Sequence, residues 1–339
     1  MRKRFYFILL KIFVLLICLS GINFIIDPYG IFRKDISKQI LEPNKNYLKT
    51  KYILKNKNKY DAFIFGSSRV GVIPVEKILG YRFYNMTYSE GLPKEWLKTI
   101  NTFIENDVAI NMIIIGIDDI SFKVDDKEHF NQPMRIPYQE LSNKEILKNY
   151  LFVNPLNSYN FLTLKEIIKR NNSNDYSNIY KTGSNITENT LSIEKEIEKN
   201  TKQHISKEIF LETSYGNKNF INIDKNIETL KDIENLCIKN GIEVIFVFNP
   251  LHSTAFINNN EKEYISIKEK IFKTLKSDIY DFSSNNTISK NNYYWYETSH
   301  FRVIVGEMML KTIFKDKFKT KQIINIPNDF VKKYDKNSL

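Results

Sequence analysis

The twenty-two residues from Phe5 to Ile26 carry a single charge, Lys11, and directly follow Met1-Arg2-Lys3-Arg4. As a helix, such a stretch is long enough to cross the ~30 Å hydrocarbon core of a bilayer. The basic flank predicts an N-terminus left on the cytoplasmic side. Asp27-Pro28-Tyr29-Gly30 then breaks the helix. The apolar run is longer than the core of a cleavable signal peptide, and no small-x-small site closes it. Cys18 lacks the small residue before it that lipoprotein processing requires. The expectation is one uncleaved, single-pass anchor over residues 1–26 in the cytoplasmic (inner) membrane. Everything after it then lies in the periplasm or another extracytoplasmic space. Cys237 is the one cysteine outside the anchor, so no disulfide framework is expected and the thiol reads as a core residue on a helix.

The remaining chain is long enough to bury a full core. Its net charge is +11, from 50 Lys+Arg against 39 Asp+Glu, with the basic residues scattered rather than gathered into a stripe. That distribution argues against nucleic acid as a partner and suits an anionic membrane surface or an acidic glycan. His129 and His204 lie in polar stretches without ligand spacing. No metal-ligand spacing, phosphate-cradling glycine loop or nucleic-acid motif occurs, so neither metal nor cofactor is expected.

Residues 27–59 are polar and Lys/Asn-rich and read as a linker. Beyond them strand and helix alternate: strands at Tyr60–Phe65, Arg82–Met86, Ala109–Gly116, Glu243–Phe248 and Ile279–Phe282, the last of these taken as the final strand. Helices are predicted at Val75–Leu79, Pro93–Glu105, Asp224–Asn240, Glu261–Leu275 and Phe301–Phe314. The run Ala109 to Gly116 is apolar throughout, as expected of a strand covered on both faces. This alternation predicts an α/β fold, a three-layer sandwich around a mostly parallel sheet. Residues from about 124 to 222 interrupt the rhythm and read as a helical insertion or lid, with helix-like stretches at Asn143–Leu151, Leu162–Lys169 and Leu191–Phe210. The segment Asn171–Asn189 is expected to be mobile. Residues 316–339 read as a C-terminal tail.

Two stretches carry chemistry. The first is Phe65-Gly66-Ser67-Ser68-Arg69, where an apolar strand ends in a hydroxyl-bearing turn. Strand C-terminal ends are where open α/β sheets bind ligands, and the amides opening the following turn can hold an anion or a developing oxyanion. The second is Glu297-Thr298-Ser299-His300-Phe301. A serine hydroxyl needs a base within hydrogen-bond reach, and that base needs a carboxylate to fix its tautomer. Ser68, His300 and Glu297 supply nucleophile, base and orienter, the last two on one tight turn. Either stretch alone is also compatible with an ordinary turn or a surface ion pair. Arg69 is positioned to clamp an anionic substrate or to pair with an acid. His252 is a substrate contact or a hydrogen-bonded loop histidine. Asp118 and Asp119 are expected to form a turn and a helix cap, because neighbours on a strand point to opposite faces.

Gly66-Ser67-Ser68-Arg69, then Tyr84-Asn85-Met86-Thr87-Tyr88-Ser89, and Glu297-Thr298-Ser299-His300-Phe301 with Gly306 together resemble a divergent SGNH/GDSL-type hydrolase. The likeness is nearest to the membrane-anchored branch related to alginate O-acetylation proteins and teichoic-acid D-alanyl transfer proteins. It spans roughly residues 60–310, without the insertion, inside a domain read as 60–315. The resemblance implies a flavodoxin-like sandwich with Ser68 as nucleophile, His300 as base and Glu297 in place of the family's Asp. It implies an oxyanion hole for which Gly91 is a candidate donor and Asn85 a helper. The family's third-block Asn is replaced, since Gly116-Ile117-Asp118-Asp119 has acids there. What the resemblance implies for activity is an extracytoplasmic serine acyl transfer, O-acetyltransferase or acetylesterase, on a cell-envelope polysaccharide. It also implies a multi-spanning membrane acyltransferase as partner. The alternative is a non-catalytic, glycan-binding or scaffold protein of the same machinery.

Overall fold

A computed structural model describes residues 2–39, 41–152, 174–212, 218–258, 260–320 and 324–334. Helix α1 runs from Arg2 to Ile26, and its length and composition suffice to cross a membrane. Its apolar residues are largely exposed, while Asn23 near its end is buried and donates from Nδ2 to the Leu151 carbonyl at 2.8 Å. Asp27 stops the helix with φ 42°, and its carboxylate accepts the N–H groups of Ile31 (2.8 Å), Phe32 (3.0 Å) and Arg33 (2.8 Å).

The chain divides into two compact units. The first joins Met1–Leu48 to Lys127–Ser177. Here Asn44 Nδ2 donates to the Ile136 carbonyl and the Tyr150 hydroxyl, both at 2.9 Å, and Gln39 pairs antiparallel with Asn174. The stretch 27–59 is therefore folded rather than a linker: its first part belongs to this unit, and Lys45–Lys55 forms helix α2. The expected insertion 124–222 also divides, with residues from Asn178 onward in the second unit. Asn143–Ile146 is α-helical and continues into a wider turn, Leu147–Leu151. The expected helix Leu162–Lys169 and residues 171–173 lie outside the described residues.

The second unit, Lys49–Asp126 with Asn178–Leu339, holds a six-stranded sheet. Its strands are β1 (Ala62–Phe65), β2 (Phe83–Asn85), β3 (Met112–Ile117), β4 (Glu243–Phe248), β5 (Ile279–Asp281) and β8 (Lys332–Tyr334), in the order β2-β1-β3-β4-β5-β8. All neighbours are parallel except the β5–β8 pair. Thus the strand at 279–281 is not the last, and the tail closes the sheet. Between β5 and β8, β6 (Trp295–Glu297) and β7 (His300–Phe301) form a separate antiparallel hairpin.

Alternation along the strands divides the core. Phe63, Ile113, Ile115, Phe246 and Phe248 pack with helices α3 (Pro93–Glu105), α5 (Ile223–Lys239) and α6 (Glu261–Thr274). Ile64, Ile114, Ile245 and Val247 face helix α7 (Val303–Phe314) through Val305, Met308 and Met309. Helix α3 shows the local cause: Pro93 starts it, and Trp96, Ile100 and Phe103 recur at helical spacing on its buried face. Helix α4 (Glu188–Lys199), in the region expected to be mobile or insertional, is opened by a reciprocal Thr187–Thr190 cap. The sheet order reverses direction at β1, because β2 lies on one side of it and β3 on the other. Such a switch point leaves a crevice at the strand C-terminal ends, where Gly66-Ser67-Ser68 and Asp118-Asp119 emerge.

Candidate active site

After Phe65 the chain stays extended at Ser67 (φ −73°, ψ −172°) and then coils into a three-ten turn, Ser68–Val72. The turn is closed by Val70 N–H donating to Ser67 O at 3.2 Å and by Arg69 N–H donating to Ser67 Oγ at 3.3 Å. The two serines then separate. Ser67 is fully buried and donates from Oγ to Asp118 Oδ2 at 2.5 Å, while Ser68 keeps partial exposure.

The hairpin β6–β7 brings up the other half. Trp295, fully buried, anchors it by donating from Nε1 to Ile288 O at 3.0 Å. Glu297 and His300 face each other across the turn Thr298-Ser299. His300 Nε2 lies 2.7 Å from Ser68 Oγ, although the residues are 232 positions apart. On the other side of the ring Nδ1 meets Glu297 Oε1, and the second carboxylate oxygen accepts Ser299 N–H at 2.6 Å. A carboxylate facing Nδ1 holds the proton there and turns the Nε2 lone pair towards Ser68. Burial by itself raises the Glu297 carboxyl, but His300, the Ser299 amide and the charge of Arg69 outweigh it and hold the group below the ordinary glutamate range.

Behind the serine turn lies a buried charge cluster. Arg69, 3 % exposed, donates from Nη1 to Asp118 Oδ1 (3.0 Å) and Asp119 Oδ1 (2.6 Å), and from Nε to the Ser299 carbonyl (2.9 Å). Asp118 Oδ1 also accepts Asn249 Nδ2 at 3.1 Å, and Lys123 Nζ stands 3.5 Å from Asp119 Oδ2. Burial depresses the arginine's basicity, and the two carboxylates more than restore it, so the guanidinium is firmly charged. Of the two roles expected for Arg69, the structure places it with acids. The expectation that Asp118 and Asp119 diverge fails for a local reason. β3 ends at Ile117, Asp119 already begins a three-ten turn, and strand alternation no longer applies. Asp118 does not serve as the anticipated side-chain cap, since it makes no capping bond.

Asn85 is fully buried and braces the backbone, donating from Nδ2 to Val70 O (2.7 Å) and accepting Thr87 N–H at Oδ1 (2.9 Å). Gly91 backs onto β1: a Cβ there would sit 2.5 Å from the Gly66 carbonyl oxygen. His252 is 2 % exposed with both nitrogens engaged, Nδ1 accepting Thr254 N–H (3.2 Å) and Nε2 donating to Asn292 Oδ1 (3.0 Å). Its ring stacks on Phe210 and meets Trp295 edge-on, and burial lowers its basicity, so it is a neutral brace of the hairpin. His204 is similarly internal, bonding to Trp295 O at 2.8 Å. Among the described residues no group of three or more His, Cys, Asp or Glu side chains is arranged to hold a metal.

Sequence reasoning missed Asn249 and a second arginine. Arg302, 1 % exposed, donates to Glu194 (2.6 Å) and Glu198 (2.7 Å) of α4 and to Tyr293 O (2.9 Å), fixing the strand that bears His300. The four-residue spacing of Glu194 and Glu198 marks one helix face, which signals a cationic partner without naming it. The sequence matches no protein-family model and no curated protein.

Proposed function

We propose that the protein is a membrane-anchored, extracytoplasmic serine acyl-transfer enzyme of SGNH type. The observation that carries this reading is the contact of Ser68 Oγ with His300 Nε2 at 2.7 Å, with Glu297 on the far side of the ring. In the proposed reaction Ser68 Oγ attacks an ester carbonyl while its proton passes to His300 Nε2. The tetrahedral oxyanion is held by the Ser68 N–H at the head of its turn, with the Gly91 N–H as a further donor. Collapse breaks the bond to the leaving alkoxide, which takes the proton from His300, and leaves acyl-Ser68. Water or a sugar hydroxyl then gives its proton to His300 and attacks the acyl carbon, and collapse breaks the bond to Ser68 Oγ, which takes that proton back from His300. Water makes the protein an acetylesterase, and a sugar makes it an O-acetyltransferase. Helix α1 supports action at the cell envelope, and the motif resemblance supports a polysaccharide acceptor and a multi-spanning acyl donor partner.

A non-catalytic, glycan-binding or scaffold role is favoured by one observation: Asp118 stands where the resembled family has an oxyanion-hole amide, and it is engaged by Arg69, Ser67 and Asn249. The test that separates the readings is intact-mass spectrometry of the full chain in detergent after exposure to a fluorophosphonate. Acyl transfer predicts one adduct on Ser68 that is absent from Ser68→Ala. A folded wild-type protein that takes up no adduct sinks the catalytic reading.

A further inference from the structure

Ser68 and His300 are held at bonding distance although 232 positions separate them, and the structure contains a strut that joins their immediate neighbours. Arg69 follows Ser68, and its Nε donates to the carbonyl of Ser299, which precedes His300, at 2.9 Å. Together with the Ser68–His300 contact this closes a small ring: nucleophile, arginine, Ser299 peptide, base. The same Ser299 residue gives its N–H to Glu297 at 2.6 Å, so its two backbone groups are fixed from opposite sides. The guanidinium in turn is immobilised by Asp118 and Asp119, at 3.0 and 2.6 Å from Nη1. Burying an arginine is costly unless it is paired. Two carboxylates at the end of β3 meet that requirement and leave Nε aimed at Ser299.

We propose that Arg69 is a positioning residue, which uses the Asp118/Asp119 pair as its foundation to set the distance and orientation of His300 relative to Ser68. The proposal rests on the acyl-serine reading for its catalytic consequence, but its geometric content stands apart from it. Lysine does not reproduce the strut. A single ammonium lacks the planar fork; it stays with the two carboxylates and releases the Ser299 carbonyl. Charge compensation, and with it folding, is retained.

The experiment compares full-length wild type and Arg69→Lys in detergent micelles by two readouts. One is the rate of Ser68 labelling by a fluorophosphonate. The other is ¹⁵N NMR of labelled histidine, where only four histidines contribute and the tautomer of each ring is read from its two nitrogen shifts. The expected result is a folded variant, labelled at least tenfold more slowly, whose His300 ring has lost its single Nδ1–H tautomer. A folded variant with unchanged His300 shifts overturns the proposal. If wild type is not labelled at all, the acyl-transfer reading fails, while the NMR comparison still decides the role of Arg69. Should Arg69→Lys not fold, the double variant Arg69→Met, Asp118→Asn removes one buried charge of each sign and leaves Asp119 to Lys123, 3.5 Å away. It is expected to show the same loss of His300 order, and a wild-type tautomer there overturns the proposal.

Discussion

At the scale of single residues the proposed reaction turns on one proton. Glu297 fixes where that proton sits on His300, so Glu297→Gln is expected to slow Ser68 labelling by roughly 10²–10⁴-fold. Its carboxyl is held below the ordinary range. The ionised form therefore contributes to stability at every pH above the unfolded glutamate value of about 4.3. The contribution is lost as pH falls through the lower folded value. Thermal melts between pH 3 and 8 should show Glu297→Gln less stable than wild type at neutral pH, with the gap closing below about pH 4. A gap independent of pH would mean that the charge of Glu297 is not what the fold holds. That Ser68, Glu297 and His300 meet was legible in the sequence because a hydroxyl, an imidazole and a carboxylate complement one another wherever they lie along the chain. The partners of Arg69 were not, because they depend on β3 stopping at Ile117, one residue before alternation would have sent Asp118 and Asp119 apart.

At the scale of elements, the turn after β1 is held in place from three sides. Gly91 presses on Gly66 from the β2–α3 loop, Asn85 bridges to Val70, and Gly306 of α7 lets that helix approach Val72 and Ile73. A methyl group at 91 meets a backbone carbonyl at 2.5 Å, which cannot rotate away. Gly91→Ala is therefore expected to cost about 1–3 kcal/mol by overpacking and to slow labelling, read by denaturant unfolding alongside the adduct assay. An unfolding midpoint equal to wild type would show that the loop has room to retreat. Strands β3 and β4 could be read from sequence because both faces are covered and their residues are apolar almost throughout. β8 could not: Lys332-Lys333-Tyr334 has the charged character of a sheet edge, and its pairing with β5 is settled by tertiary contacts such as Tyr334 stacking on Phe272. The stretch 27–59 misled for a related reason. Asn44 and Asp27 order it through side-chain hydrogen bonds, which leave no hydrophobic period.

At the scale of the whole molecule, the proposed location rests on α1. If it is an uncleaved anchor, the chain remains in the membrane pellet after alkaline extraction, and protease added outside spheroplasts removes everything beyond Asp27. Full protection from that protease would reverse the proposed orientation. The distance along the chain between Ser68 and His300 has a further consequence for synthesis and export. His300 is made 232 positions after Ser68, so a polypeptide cut short anywhere before residue 300 presents the hydroxyl without the imidazole beside it. On the proposed acyl-transfer reading, reactivity then arises only after the chain through residue 300 has been made and packed, which would keep a shorter product from attacking esters.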